Sequence, residues 1–262
     1  MLQGTLRRGS ILGINNEIKI VEIRDISEGL TVVCGLPDVG LVGVIAATHI
    51  ISKLNLREAA YVETDLFPPV IILEGGLPKS PVRIFEGGGI AVLTSEIAIP
   101  SDTLYPLVRS IVDWVWRKKA EKVFVLSGIP VPNRHEIEKV RVFGAASDEN
   151  MLKTLKDNEV EIIERGFIVG PQALILKYCM DKKIPAAALL AETFYNYPDP
   201  EASSMVIQTL NRIININVDV SELIERGEEV RLAMRDMMRR TQAELAKIKK
   251  SHEYDVPSFY IR

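Results

Sequence analysis

Short apolar runs of strand character alternate with helix-like runs through the first 215 residues, and this alternation constrains the fold more than any other feature. Residues 122–127 read Lys-Val-Phe-Val-Leu-Ser and residues 186–191 read Ala-Ala-Ala-Leu-Leu-Ala. Runs this short and this apolar fit strands covered on both faces. Further strands are expected at residues 18–23, 30–34, 61–64, 70–73, 140–143 and 161–164. Strands at 82–85 and 90–94 flank Glu86-Gly87-Gly88-Gly89, a hairpin signal, because glycine supplies the positive φ of a tight turn. Helices are expected over residues 39–54, over 103–119 behind Asp102 as cap, and from Ser147 or Asp148 to Asp157. Two more follow Gly170-Pro171 and span residues 203–214. The pattern predicts one α/β domain over residues 1–218, three layers deep (α/β/α), around a mixed, mainly parallel sheet.

The last quarter reads differently. Asp219 and Glu222 form a capping box ahead of a helix expected to run to residue 251. Positions 223, 227, 230, 234, 237 and 241 recur at helical spacing. Acids crowd its start and bases its end, as the helix dipole favours. Glu222–Arg226 and Asp236–Arg240 are favourable i,i+4 pairs. Thirty residues span roughly 45 Å, so the helix is expected to lie along the body or to reach a neighbouring subunit. Residues 252–262 form an extended tail. A frayed end is usually polar, yet this one carries Tyr254, Val256, Phe259, Tyr260 and Ile261, which suit burial on a partner protein.

Composition excludes several classes. Of 262 residues, 47% are hydrophobic and 26% charged, which excludes disorder and collagen-like repeats. The 32 Lys and Arg against 35 Asp and Glu leave a net charge of −3, no footprint for nucleic acid. The longest uncharged apolar stretch, residues 39–52, is shorter than the roughly 18 residues of a membrane span, and no secretory signal opens the chain. A cytoplasmic protein without membrane or nucleic-acid partners is expected. Cys34 and Cys179 lie far apart in apolar stretches and read as buried thiols. His49, His135 and His252 have no metal spacing, so no metal and no cofactor are expected. No catalytic constellation is visible.

Two local features invite a ligand. Gly35-Leu-Pro-Asp38-Val-Gly40-Leu-Val-Gly43 joins a strand to a helix, where backbone N–H groups can hold an anion. Asp38 opposes that use, and Gly40 and Gly43 fit equally a tight turn with close helix–sheet packing. Glu192 and Thr193 follow the strand at 186–191, at the carboxyl end where open α/β sheets bind ligands. Tyr195 and Tyr197 beyond them suit an apolar lid or a subunit contact.

Three stretches together resemble the proteasome assembly chaperone family, the archaeal and bacterial relatives of the eukaryotic second assembly chaperone. They are Gly35-Leu-Pro-Asp-Val-Gly-Leu-Val-Gly-Val-Ile-Ala-Ala47, Gly166-Phe-Ile-Val-Gly-Pro171-Gln-Ala-Leu and Ile184-Pro-Ala-Ala-Ala-Leu-Leu-Ala-Glu-Thr-Phe-Tyr-Asn-Tyr-Pro-Asp-Pro200. The resemblance covers roughly residues 20–229. It implies a fold like that of purine nucleoside phosphorylases without an established active site, homo-oligomerisation, and action on the proteasome core particle. Some archaeal relatives dock through a C-terminal hydrophobic–Tyr–any motif. Here the chain ends Phe259-Tyr260-Ile261-Arg262, with the tyrosine displaced by one residue.

The expected function is therefore a non-enzymatic, homo-oligomeric interaction scaffold that binds a protein, such as the proteasome core particle or another assembly subunit, through its tail. The alternative is a nucleoside- or nucleotide-binding enzyme on a phosphorylase-like fold. In that reading Gly35, Asp38, Gly40 and Gly43 surround the anion, with Glu192 and Thr193 nearby.

Overall fold

The computed structural model describes residues 17–252. The five tail residues expected to bind a partner (Tyr254, Val256, Phe259, Tyr260 and Ile261) lie outside the described residues.

Among the described residues, nine strands form one sheet. In chain order they are β1 (Lys19–Glu22), β2 (Thr31–Gly35), β3 (Arg57–Glu63), β6 (Val82–Gly87), β7 (Ile90–Ser95), β8 (Lys122–Pro130), β9 (Val142–Ala146), β10 (Glu161–Ile162) and β11 (Ala186–Thr193). Across the sheet they run β1-β3-β6-β7-β2-β8-β11-β9-β10. The sheet is mixed, as expected. Its centre, β7-β2-β8-β11, is parallel, while β1, β3 and β6 on one side and β9 on the other pair antiparallel.

Alternation along the central strands sends successive side chains to opposite faces. Val32, Cys34, Val123, Val125, Ala186, Ala188 and Leu190 pack beneath α2 (Leu104–Arg117) and α4 (Pro171–Asp181). Val33, Phe124, Leu126, Ala187, Leu189 and Ala191 pack beneath α1 (Val42–Lys53), α3 (Glu149–Asp157) and α5 (Pro200–Ile214). Both faces are covered, which explains why these strands carry almost no polar residue. Cys34 and Cys179 are buried free thiols, as expected, and burial pushes the Cys179 thiol up to about 12. No helix among the described residues is long and apolar enough to cross a membrane.

Local details differ from the sequence reading where a cap or a turn decides them. Asp148, not Ser147, caps α3, its carboxylate accepting from Met151 N at 2.9 Å. Thr103 rather than Asp102 sits at the cap of α2, and its hydroxyl donates instead to Leu66 O. The helix expected from residue 39 begins as a 3-10 turn, because Gly40 and Leu41 are left-handed (φ 65° and 50°), and α1 proper starts at Val42. The strand expected at 70–73 is β4 (Ile72–Glu74), which leaves the main sheet. It pairs with β5 (Leu77–Lys79) across Gly75-Gly76, both at positive φ, as a separate hairpin.

The long C-terminal helix is two helices. Asp219 folds onto Ser221 instead of closing a capping box, α6 (Ser221–Glu225) stops at Arg226, and α7 (Gly227–His252) begins at Gly227. Of the pairs expected here, Glu222–Arg226 is present at 3.7 Å, whereas Asp236 reaches Arg239 at 3.5 Å. α7 straps across the end of the sheet from one helical layer to the other. Val230, Met234 and Met237 pack on the α1–α5 side, while Ile248 packs on the α2–α4 side. Between them Met238 and Thr241 are buried, and Gln242 bonds Asn196 at 2.6 Å.

The close packing expected at Gly40 and Gly43 is present. A Cβ on Gly43 would run into Leu126 O, one on Gly35 into Gly43 O, and one on Gly40 into the Thr193 side chain. Gly43→Ala is expected to cost about 3 kcal/mol, the upper end for overpacking, since the obstacle is backbone that cannot turn aside. A urea midpoint unchanged by this substitution would contradict the packing described.

Candidate functional site

The carboxyl ends of β2, β8 and β11 carry buried polar side chains that converge from loops distant in sequence. β8 ends at Pro130, and the chain turns back through a 3-10 turn over Arg134–Glu136. That turn places Arg134, 3% exposed, against Asp199, fully buried. Arg134 Nε donates to Asp199 Oδ2 at 2.9 Å, and the same guanidinium reaches Glu201 Oε2 at 2.7 Å. It also lies 5.1 Å from the Phe194 ring centroid. Burial opposes the Arg134 charge, but Glu201 and Asp199 outweigh it and raise its proton affinity.

Asp199 does more than pair. Its Oδ1 accepts from Ala202 N at 3.0 Å as the cap of α5, with Pro200 at the first helical position. Its Oδ2 also accepts from Thr193 Oγ1 at 3.2 Å, and its backbone N–H donates to Gly40 O at 2.9 Å. One buried residue thus ties the glycine-rich turn, through its backbone, and the end of β11, α5 and the loop after β8, through its carboxylate, into a single knot.

The residues expected at a ligand site divide in two. Gly35 packs on Gly43, and Gly40 on Thr193. Glu192, one residue earlier and on the other face of β11, is 3% exposed and held by Arg141. It accepts from Arg141 N at 3.0 Å, Nε at 3.1 Å and Nη2 at 2.7 Å. That clasp joins β11 to the start of β9.

Asp38 faces the α2–α4 side. Ser127 donates to its Oδ2, and its Oδ1 has no hydrogen-bond partner among the described residues. Burial pushes its pKa up to about 8, against the lowering by Ser127 and Gln172. Burial of this kind favours the neutral acid over the carboxylate.

Sequence reasoning missed Arg134, Arg141, Ser127 and Gln172. None stands in a local pattern, because each meets its partner across 51 or more residues of chain. Asp199-Pro200 was legible as a helix start, though not as the hub of the cluster. Among the described residues no group of three or more His, Cys, Asp or Glu is arranged to hold a metal. A shallow depression of about 320 Å³ lies at the α6–α7 break, beside Pro200, Glu201, Leu223 and Arg226. Tyr195 and Tyr197 are exposed nearby, and Tyr197 meets Phe194 edge to face at 6.3 Å.

The PAC2 family model matches residues 32–238. An uncharacterized protein of Methanocaldococcus jannaschii is 32% identical over 238 residues, covering 90% of this chain and 98% of the relative. Pyrococcus furiosus PbaA, an archaeal homolog of proteasome-assembly chaperone, superposes with a TM-score of 0.81 at 27% identity, over 86% of this chain and 98% of its own. Pyrococcus furiosus PbaB, an archaeal proteasome activator, shares the fold with a TM-score of 0.71 at 23% identity, over 84% of this chain and 98% of its own.

Proposed function

This chain belongs to the PAC2 family, and on that premise we propose that it is a cytoplasmic, non-enzymatic, homo-oligomeric scaffold that binds a protein partner through its C-terminal segment. The partner proposed is the proteasome core particle or a subunit on its way into it. The observation that carries this reading is the agreement with PbaA, an archaeal homolog of proteasome-assembly chaperone, across 86% of the chain.

The polar cluster supports the non-enzymatic part. Catalysis uses groups that can reach a substrate, whereas Arg134 and Asp199 are buried against each other and Glu192 is buried beneath Arg141. The interaction part rests on the segment after α7. Tyr254, Val256, Phe259, Tyr260 and Ile261 are the proposed anchors, since aromatic groups dominate interface energies. Several tails on one oligomer would engage several sites at once, raising avidity without new contacts.

Deleting residues 253–262 tests this. The melting temperature is expected to stay within about 2 °C, while capture by purified core particle falls at least about tenfold. Undiminished capture contradicts the reading. A thermal shift of several degrees with one nucleoside, nucleotide or phosphate would favour the enzyme alternative instead.

A further inference from the structure

Met238, 2% exposed, marks the inward face of α7. On the opposite side run Glu229, Ala233, Asp236, Arg240, Ala243 and Lys247, every one exposed. Their spacings are four, three, four, three and four, so the six stay in line along a helix of 3.6 residues per turn. The described part of the chain leaves this stripe open to solvent.

The stripe is its own complement. Asp236 and Arg240 stand two residues either side of Met238, Ala233 and Ala243 five, and Glu229 and Lys247 nine. Each acid on one side answers a base at the same distance on the other, and alanine answers alanine. A second α7 laid antiparallel, Met238 level with Met238, therefore sets Asp236 against Arg240, Ala233 against Ala243 and Glu229 against Lys247. A two-fold axis makes each of these contacts twice, as an isologous interface requires. A parallel second helix would set every charge against its own kind.

Packing agrees with charge. Alanines at the contact let helix axes approach to about 8 Å. Leu232, 67% exposed, flanks the stripe, and in the antiparallel pair it falls at the level between Ala243 and Ala246 of the second helix. Two of the charges already have a neighbour on their own helix: Asp236 meets Arg239 at 3.5 Å, and Lys247 meets Glu244 at 2.6 Å. An ammonium has three donors and a carboxylate two oxygens, so both keep capacity for a second partner. Arg239 lies about 80° round the helix from the midline of the stripe, at the edge of the contact.

We propose that α7 is an interface between two copies of this chain, packed antiparallel about a two-fold axis level with Met238. The inference rests on the homo-oligomeric part of the proposed function and adds the surface and its symmetry.

Cysteine pairing in the full-length protein tests it, since Cys34 and Cys179 are buried. Ala233→Cys and Ala243→Cys proteins, mixed and mildly oxidised, are expected to join to each other. Alone, neither joins to itself, because the two copies of one residue stand about 15 Å apart along the axis, beyond the reach of a disulfide. Self-joining of either alone, or no joining in the mixture, overturns the inference. A second measurement uses charge. Glu229→Lys/Asp236→Lys makes the stripe wholly basic, and Arg240→Glu/Lys247→Glu makes it wholly acidic. Sedimentation velocity is expected to show self-association weakened at least about tenfold in each variant and recovered when the two are mixed. Undiminished self-association in both variants overturns the inference and leaves the homo-oligomer standing on another surface. An intact protein that stays monomeric at every concentration overturns both.

Discussion

Replacing Asp199 by alanine is expected to destabilise the protein by about 3–5 kcal/mol, the cost of leaving one member of a buried ion pair alone. The reason is the number of roles held by one carboxylate. Asp199→Ala removes the cap of α5, the acceptor for Thr193 and the main partner of Arg134, which is 3% exposed and retains only Glu201, a half-exposed group, as a charged partner. Asp199→Asn keeps the acceptor oxygen of the cap but puts an NH2 donor where Oδ2 accepted from Thr193 and Arg134, and removes the charge. It is expected to cost less, about 1–3 kcal/mol. Chemical denaturation of the two variants separates the contributions. Equal losses would show that the charge alone matters and that the cap adds nothing; a loss under 1 kcal/mol for Asp199→Ala would contradict the description of the cluster as a structural knot.

The second large effect is a dependence on pH. Asp38 is held as a neutral acid in the folded protein, with a pKa near 8 against 3.8 for the ordinary group. The folded state therefore binds more protons than the unfolded state between about pH 4 and pH 8, and stability falls as pH rises through that window. Below pH 4 the group is neutral in both states and contributes no slope; above pH 8 it is charged in both and the loss is complete. The full loss is at most about 6 kcal/mol, since one pKa unit corresponds to 1.36 kcal/mol. Asp38→Asn, close in shape and unable to ionise, is expected to abolish this slope. The substitution is therefore more favourable at pH 8 than at pH 5 relative to the parent. Denaturation midpoints of both proteins at pH 5, 6, 7 and 8 read it directly. Parallel pH curves for the two would contradict the burial of a protonated Asp38.

Most of the fold was legible because its signals are local. The central strands announce themselves as uncharged runs, since burial on both faces excludes polar side chains. Pro171 and Pro200 mark helix starts because proline loses nothing at the first helical position. What was not legible depends on competition between near-equal local options or on contacts across the chain. Asp102 and Thr103 are both able caps, and tertiary contact with Leu66 decided between them. Asp219 had Ser221 within reach and bonded it in preference to closing a box with Glu222. The hairpin at Gly75-Gly76 carried a turn signal as clear as that at Gly87–Gly89, but Pro68, Pro69 and Pro78 around it obscured the strand pattern.

The candidate site was legible only in outline. The glycine-rich turn and the end of β11 were singled out, and the structure brings Gly40 and Thr193 together. The partner of Glu192 and the hub role of Asp199 were not visible, because Arg141 and Arg134 lie 51 and 65 residues away in sequence. A charged residue in a loop reads as solvated until the fold shows what it faces.

The central claim is that the last residues of this chain are its binding element. Surface plasmon resonance on immobilised proteasome core particle tests it most directly, comparing the intact protein with Phe259→Ala/Tyr260→Ala. The intact protein is expected to bind, and the double variant to bind at least about tenfold more weakly, the loss of two aromatic anchors. Equal affinity for the two, or no binding by the intact protein, would contradict it.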